Sequence, residues 1–170
     1  MACALTQSYT PRDCKAPAGV VGYYLIEYAN VTGMTLTANV VTAITKASGK
    51  VFRKYAQEAE TADWKYSGTS DPKMGSFGYD IEANFQTYGL DTTLNAEIEL
   101  LIKNKLLMIA EMNDGQFYLL GKEYGMHVVT DSFESGVAFG DFQGDKIQLK
   151  GRATTKAPKV DSTIIAGLLV

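Results

Sequence analysis

The sequence predicts a mainly β domain that carries one α-helix. Three observations predict it. Apolar and polar residues alternate with a period of two over several stretches, as they do along strands with one buried face. Valine and threonine recur, and there are ten tyrosines, residue types that fit a pleated surface. Only one segment shows helical spacing. The length of 170 residues suits one domain with a core of its own. With 46% hydrophobic and 21% charged residues, the chain has a globular composition rather than a disordered one. A net charge of −3 argues against a general nucleic-acid binder, which needs a basic footprint.

Taken in order, Met1 to Gly19 holds two of the four prolines and both cysteines, with no periodic pattern. It reads as an N-terminal arm, leaving 20–170 as the single β-rich domain. No basic, apolar leader opens the chain, so no signal peptide is expected. Cys3 and Cys14 read as free thiols in a reducing compartment. Val20 to Tyr28 is an apolar and aromatic strand. Met34, Leu36, Ala38 and Val40 then alternate with Thr35, Thr37 and Asn39, a pattern that runs on to Ile44 as one strand. Ala47-Ser48-Gly49 reads as a tight turn, with Lys50 to Tyr55 returning as its partner. Glu58 to Gly75 reads as a long polar loop, with room for a short strand at Asp63 to Tyr66.

Phe77, Tyr79, Ile81, Ala83 and Phe85 form the clearest strand. The opposite row, Gly78, Asp80, Glu82, Asn84 and Gln86, carries no apolar side chain, so one face is dry and the other wet. The helix follows, capped by Asp91 or Thr93, with Leu94, Ile98, Leu101 and Ile102 as its apolar stripe. Glu99 and Lys103 form a favourable pair one turn apart. Leu106 to Glu111, the turn Asn113-Asp114-Gly115 and Gln116 to Leu120 read as a hairpin. Asp145 to Arg152 alternates again. The closing run, Ile164 to Leu169 with Val170, is apolar but far too short to span a bilayer. It reads either as a core strand or as an arm that docks on a neighbouring subunit.

Chemistry is sparse. His127 is the single histidine and has no nucleophile or orienting partner in sequence, so no catalytic residues are expected. Without a second histidine or a cysteine cluster, no transition-metal site is expected. Asp141, Asp145 and Asn113-Asp114 lack EF-hand spacing and read as turn residues, so no metal is assigned. Ser48-Gly49-Lys50 lacks the upstream glycine of a phosphate loop; Ile44 stands in its place. Asp80 and Glu82 share one strand face, which residue pattern alone reads as solvated. Trp64, Tyr66 and Met74 are residue types enriched in interfaces. With the apolar residues Ile164, Ile165, Leu168 and Leu169, they form the candidate subunit interface.

Several segments carry a resemblance. These are Asn95 to Lys105 in the helix, Gly115-Gln-Phe-Tyr-Leu-Leu-Gly121, Ser135-Gly136, Asp141-Phe-Gln-Gly144, and the opening Met1-Ala-Cys3-Ala-Leu-Thr6 with Cys14-Lys15. In them, and in the order of its elements, the chain resembles the tail tube proteins of tailed phages and contractile injection systems. Its second half is similar to small virion proteins of Bacteroidetes phages and prophages. The resemblance implies a β-sandwich or half-barrel subunit, without cofactor, that self-associates into hexameric rings. The rings stack into a tube through which DNA passes without specific binding, in contact with other tail or neck proteins. It implies a place in the virion tail, assembled in the bacterial cytoplasm with no membrane partner. Glu58 to Gly75 would be the loop, and Met1 to Gly19 the arm, that bridge rings. The strand Phe77 to Tyr88 would line the lumen, with Asp80, Glu82, Asn84 and Gln86 facing the channel. The other readings are a neck, ring, baseplate or capsid-decorating protein on the same fold, and a small-molecule-binding β-barrel with tyrosine walls.

Overall fold

The computed structural model describes residues 7–11, 14, 16–71, 73–89 and 91–170. The expectations placed on Met1 to Thr6, Cys3 among them, and on Lys15 lie outside these residues, while Cys14 is exposed. Six strands come first: β1 (Val20–Glu27), β2 (Val31–Thr37), β3 (Val40–Lys46), β4 (Arg53–Ala56), β5 (Asp63–Asp71) and β6 (Ser76–Tyr88). Helix α1 (Thr92–Lys103) follows, then β7 (Leu106–Met112), β8 (Phe117–Leu120), β9 (Met126–Glu134), β10 (Gly144–Ala153) and β11 (Lys159–Val160). Helix α2 (Ser162–Leu168) comes last. The protein is mainly β, as its alternating stretches predict, and the strands join one mixed sheet in the order β2-β3-β11-β8-β7-β9-β10-β6-β5.

The centre is the antiparallel pair of β1 and β7, running from Val20 opposite Met112 to Glu27 opposite Leu106. Both strands are buried on both faces. On one side Tyr23 and Leu25 of β1, with Met108 and Ala110 of β7, pack against Ile81, Ala83 and Phe85 of β6 and Ile147 and Leu149 of β10. On the other side Tyr24 and Ile26, with Leu107 and Ile109, pack against Val41, Ile44 and Phe52 and the α2 residues Ile165 and Leu168. Two-sided burial explains why Val20 to Tyr28 reads as an unbroken apolar run rather than an alternating one. The Phe85 ring is flanked by Tyr23 and Tyr55, at 5.7 and 5.8 Å between centroids.

Helix α1 forms where its stripe predicts. Asp91 is the N-cap and accepts from the Thr93 amide at 3.1 Å, while Ile98 and Leu101 are buried. Glu99 and Lys103 are 3.5 Å apart. Asn113 to Gly115 is the β7–β8 turn, braced by the Gln116 amide donating to Asp114.

Four expectations are corrected. The stretch from Met34 to Ile44 is two strands, because Ala38 and Asn39 both take left-handed backbone (φ 49° and 64°) and fold β2 back on β3. That is the hairpin turn whose twist matches paired strands. Lys50 to Tyr55 does not return onto β3; β4 pairs with β1 instead. Glu58 to Gly75 is not a long loop. Half of it is β5, paired with β6 from Asp63 opposite Asn84 to Asp71 opposite Ser76. The outer half of this ribbon, Ser67 to Asp71, is exposed and has no apolar row to betray a strand.

The last correction concerns the chain's closing run. It is a second helix, capped by Asp161, whose carboxylate accepts from the Thr163 amide at 2.9 Å. Ile165 and Leu168 are 7% and 4% exposed, inside the chain's own core. Burying an aliphatic side chain of this size is worth about 1.5–3 kcal/mol, which holds the helix down. These two residues are therefore not available to a neighbouring subunit, whereas Leu169 is exposed and Ile164 half-buried. Among the described residues no helix is long and apolar enough to cross a membrane.

Candidate functional site

Strand register assembles a polar face on the outside of β5, β6, β10 and β9. Directly opposed residues in an antiparallel pair share a face. Asp80, Glu82, Asn84 and Gln86 of β6 therefore stand beside Arg152, Lys150, Gln148 and Lys146 of β10. On the other flank Lys65 of β5 opposes Glu82, and Ser67 opposes Asp80. The alternate β6 residues Ile81, Ala83, Phe85 and Thr87 are buried. The dry-and-wet division expected for this strand is present from Ile81 onward, with the four polar residues together on its wet side, but Phe77 of the expected dry row is exposed, because the outer end of the β5–β6 ribbon buries neither face.

Charges on this face are matched in pairs. Glu82 is the hub: it lies 3.2 Å from Lys65 and 3.9 Å from Lys150, and accepts from Gln148 at 2.9 Å. Arg152 lies 3.4 Å from Asp80, and Lys146 lies 2.8 Å from Glu134. The Lys65 hydrogen bond, outweighing some burial, holds the Glu82 carboxyl below its ordinary range. The basic partners escaped the sequence reading. Their signal was there in Lys146, Gln148, Lys150 and Arg152, which share one parity of an alternating strand, but pairing them with Asp80 and Glu82 requires the register.

On this face lies an open hollow of about 1000 Å³ whose lining includes Lys65, Asp80, Glu82, His127, Lys150 and Arg152. A second hollow of about 400 Å³ continues along it past Asn84, Gln86 and Gln148. His127 is exposed and stands opposite Lys150.

No family model, curated protein or solved structure matches this chain.

The remaining interface candidates are divided. Trp64 and Tyr66 are half-buried within the subunit. The Trp64 ring packs on Tyr66 and Tyr118 at 5.7 and 5.3 Å, and its Nε1 donates to the Met112 sulfur at 3.1 Å. Burial, with the Glu123 charge, raises the Tyr66 hydroxyl pKa. Met74 is different. At the tip of the β5–β6 ribbon it is 81% exposed, next to the exposed Phe77. The tip is held in shape by Asp71, which accepts from the amides of Lys73 and Met74.

The β5 edge is the second feature of this region. Among the described residues β5 pairs with β6 alone, so the other side of a nine-residue strand is unpaired. At the opposite end of the sheet, β2 pairs with β3 alone.

Proposed function

We propose that this protein is a structural subunit whose function is its own assembly, in the role of a tail tube protein of a phage or contractile injection system. Copies join through sheet edges into rings, hexameric by the resemblance, and rings stack into a conduit for DNA. The observation that carries this reading is the unpaired β5 edge on a long ribbon. Open edges invite pairing with another chain, and monomeric proteins blunt them with bulges, prolines or a covering helix. Here the ribbon is regular in register, and a neighbour's strand would complete the backbone bonds it leaves open.

The polar face supports the same reading. Its lysines and arginine are held by carboxylates of neighbouring strands, so little free positive charge remains to trap a passing polyanion. The buried C-terminal helix lends nothing to it; sheet edges and the ribbon tip carry assembly. The hollows of this face are open rather than enclosed, which favours assembly over a barrel that encloses a small apolar ligand. A neck, baseplate or decorating protein on this fold would use the same edges, and copy number per particle separates it from a tube. In this reading the protein resides in the virion tail after assembly in the host cytoplasm.

Size-exclusion chromatography and negative-stain electron microscopy of the purified chain test the proposal. Rings or tubes are expected, weakened in Met74→Ser/Phe77→Ser with the monomer fold intact. A strictly monomeric wild-type protein at high concentration overturns it.

A further inference from the structure

Asp145 breaks the pattern of its strand. The sequence presents it as a turn residue, but it lies within β10, faces the dry side, and is 6% exposed. Directly opposite it on β6 is Thr87, 8% exposed. Between them these two carry the only buried side-chain oxygens without a partner among the described residues, Oδ2 of Asp145 and Oγ1 of Thr87. Although they are cross-strand neighbours, neither bonds to the other. The strands approach closely at this point, since a Cβ on Gly144 would overlap the Thr87 carbonyl oxygen.

A third oxygen-bearing group faces the same region. Asp131 of β9 opposes Ile147, which places it on the dry side, diagonal to Asp145. The basic residues of β10, Lys146, Lys150 and Arg152, all point to the opposite face. Among the described residues neither Asp131 nor Asp145 has an ion-pair partner. A buried carboxylate and a buried hydroxyl without partners are costly, and two carboxylates on one side of a sheet repel each other. Asp131 is itself exposed, which leaves a path from solvent.

We propose that Asp145 and Thr87 hold a hard cation of calcium size, with Asp131 supplying the second negative charge from the solvent side. Carboxylate and hydroxyl oxygens are ligands for such an ion, and water completes its shell through the Asp131 opening. The site lies on the inner face of the β9-β10-β6 sheet, opposite the ion-paired outer face, and does not depend on how the subunit assembles.

The full chain, stripped with EDTA and then given millimolar calcium chloride, tests this by thermal unfolding and by calorimetric titration. Calcium should raise Tm by roughly 3–6 °C and bind with a stoichiometry of one. The rise should vanish in Asp145→Asn and in Asp131→Asn, the second of which alters only an exposed side chain and so keeps the fold. Three results would overturn the site: no calcium response in the wild type, an undiminished response in both variants, or stabilisation by mild acid alone. The last would show that a shared proton satisfies these oxygens.

Discussion

The hydroxyl of Tyr23 donates to the main-chain carbonyl of Asp63 at 2.7 Å, joining the central strand to the root of the ribbon. Tyr23 is fully buried, and its hydroxyl also reaches the Asn84 carbonyl on β6 at 3.5 Å. Burial, with the nearby Asp63 charge, raises its pKa, so it stays a donor throughout the ordinary pH range. Tyr23→Phe should cost about 1 kcal/mol of stability, the net worth of such a bond. Hydrogen exchange should show the loss concentrated at the start of β5, with the rest of the sheet unchanged.

Leu168→Ala should destabilise the monomer by about 2–5 kcal/mol, because it opens a cavity between α2 and the core. Lys46 on β3 clamps the last turn of this helix, donating to the carbonyls of Gly167 and Leu168 at 3.1 and 3.0 Å. Urea unfolding measures the effect. If Leu168 served a neighbouring subunit instead, the monomer would unfold as before and only assembly would suffer.

Gly151→Ala should cost about 1–3 kcal/mol through overpacking. A Cβ at this position would stand 2.5 Å from the Met126 sulfur and 2.7 Å from the Gly125 carbonyl oxygen. The methionine side chain can yield, but the Gly125 backbone is fixed between β9 and its preceding turn. Denaturant midpoints of the two proteins give the comparison.

Glu82→Gln should turn the polar face sticky. It releases Lys65 and Lys150 together, while the fold, which does not rely on exposed ion pairs, stays intact. Gel-shift titration with DNA should show binding at low salt that the wild type lacks, abolished above about 0.2 M salt. Equal retention of DNA by both proteins would remove the role assigned to these carboxylates.

Glu123 makes stability fall in acid. Burial pushes its pKa up, but hydrogen bonds from the Thr154 amide and from the Thr154 and Thr155 hydroxyls outweigh it and hold the carboxyl below its ordinary value. A lowered folded pKa means that the unfolded chain takes up the proton first. The contribution is complete above the ordinary glutamate value of about 4.3 and is lost as pH falls below it toward the folded pKa. Glu123→Gln should be less stable at neutral pH and show a shallower decline in acid, measured as urea midpoints against pH.

What the sequence made legible follows the physics of burial. Strand β6 and helix α1 announce themselves because each buries one side only, and Asn113-Asp114-Gly115 because its turn demands those residue types. The outer half of β5 stayed hidden because it buries neither face, so no period marks it. The β2–β3 turn was masked because Ala38 and Asn39 continue the alternation around them. Helix α2 contains two adjacent isoleucines, which favour strands. Its readable sign was the cap Asp161 two residues before Thr163. Asp80 and Glu82 were legible as a polar row. Their cationic partners, and the isolation of Asp145 beside Thr87, depend on strand registers that no local pattern specifies.

The central pairing also sets a schedule for synthesis. Strand β1 is made well before its full-length partner β7, which is complete only when Met112 has been added. Until then the nascent chain carries Val20 to Glu27 with one edge unpaired, β4 alone lying along the other. Such distant pairing slows folding and prolongs exposure of an adhesive segment. Translation pauses before Met112, or depletion of holdase chaperones, should therefore harm the yield of this protein more than that of a helical chain of equal length.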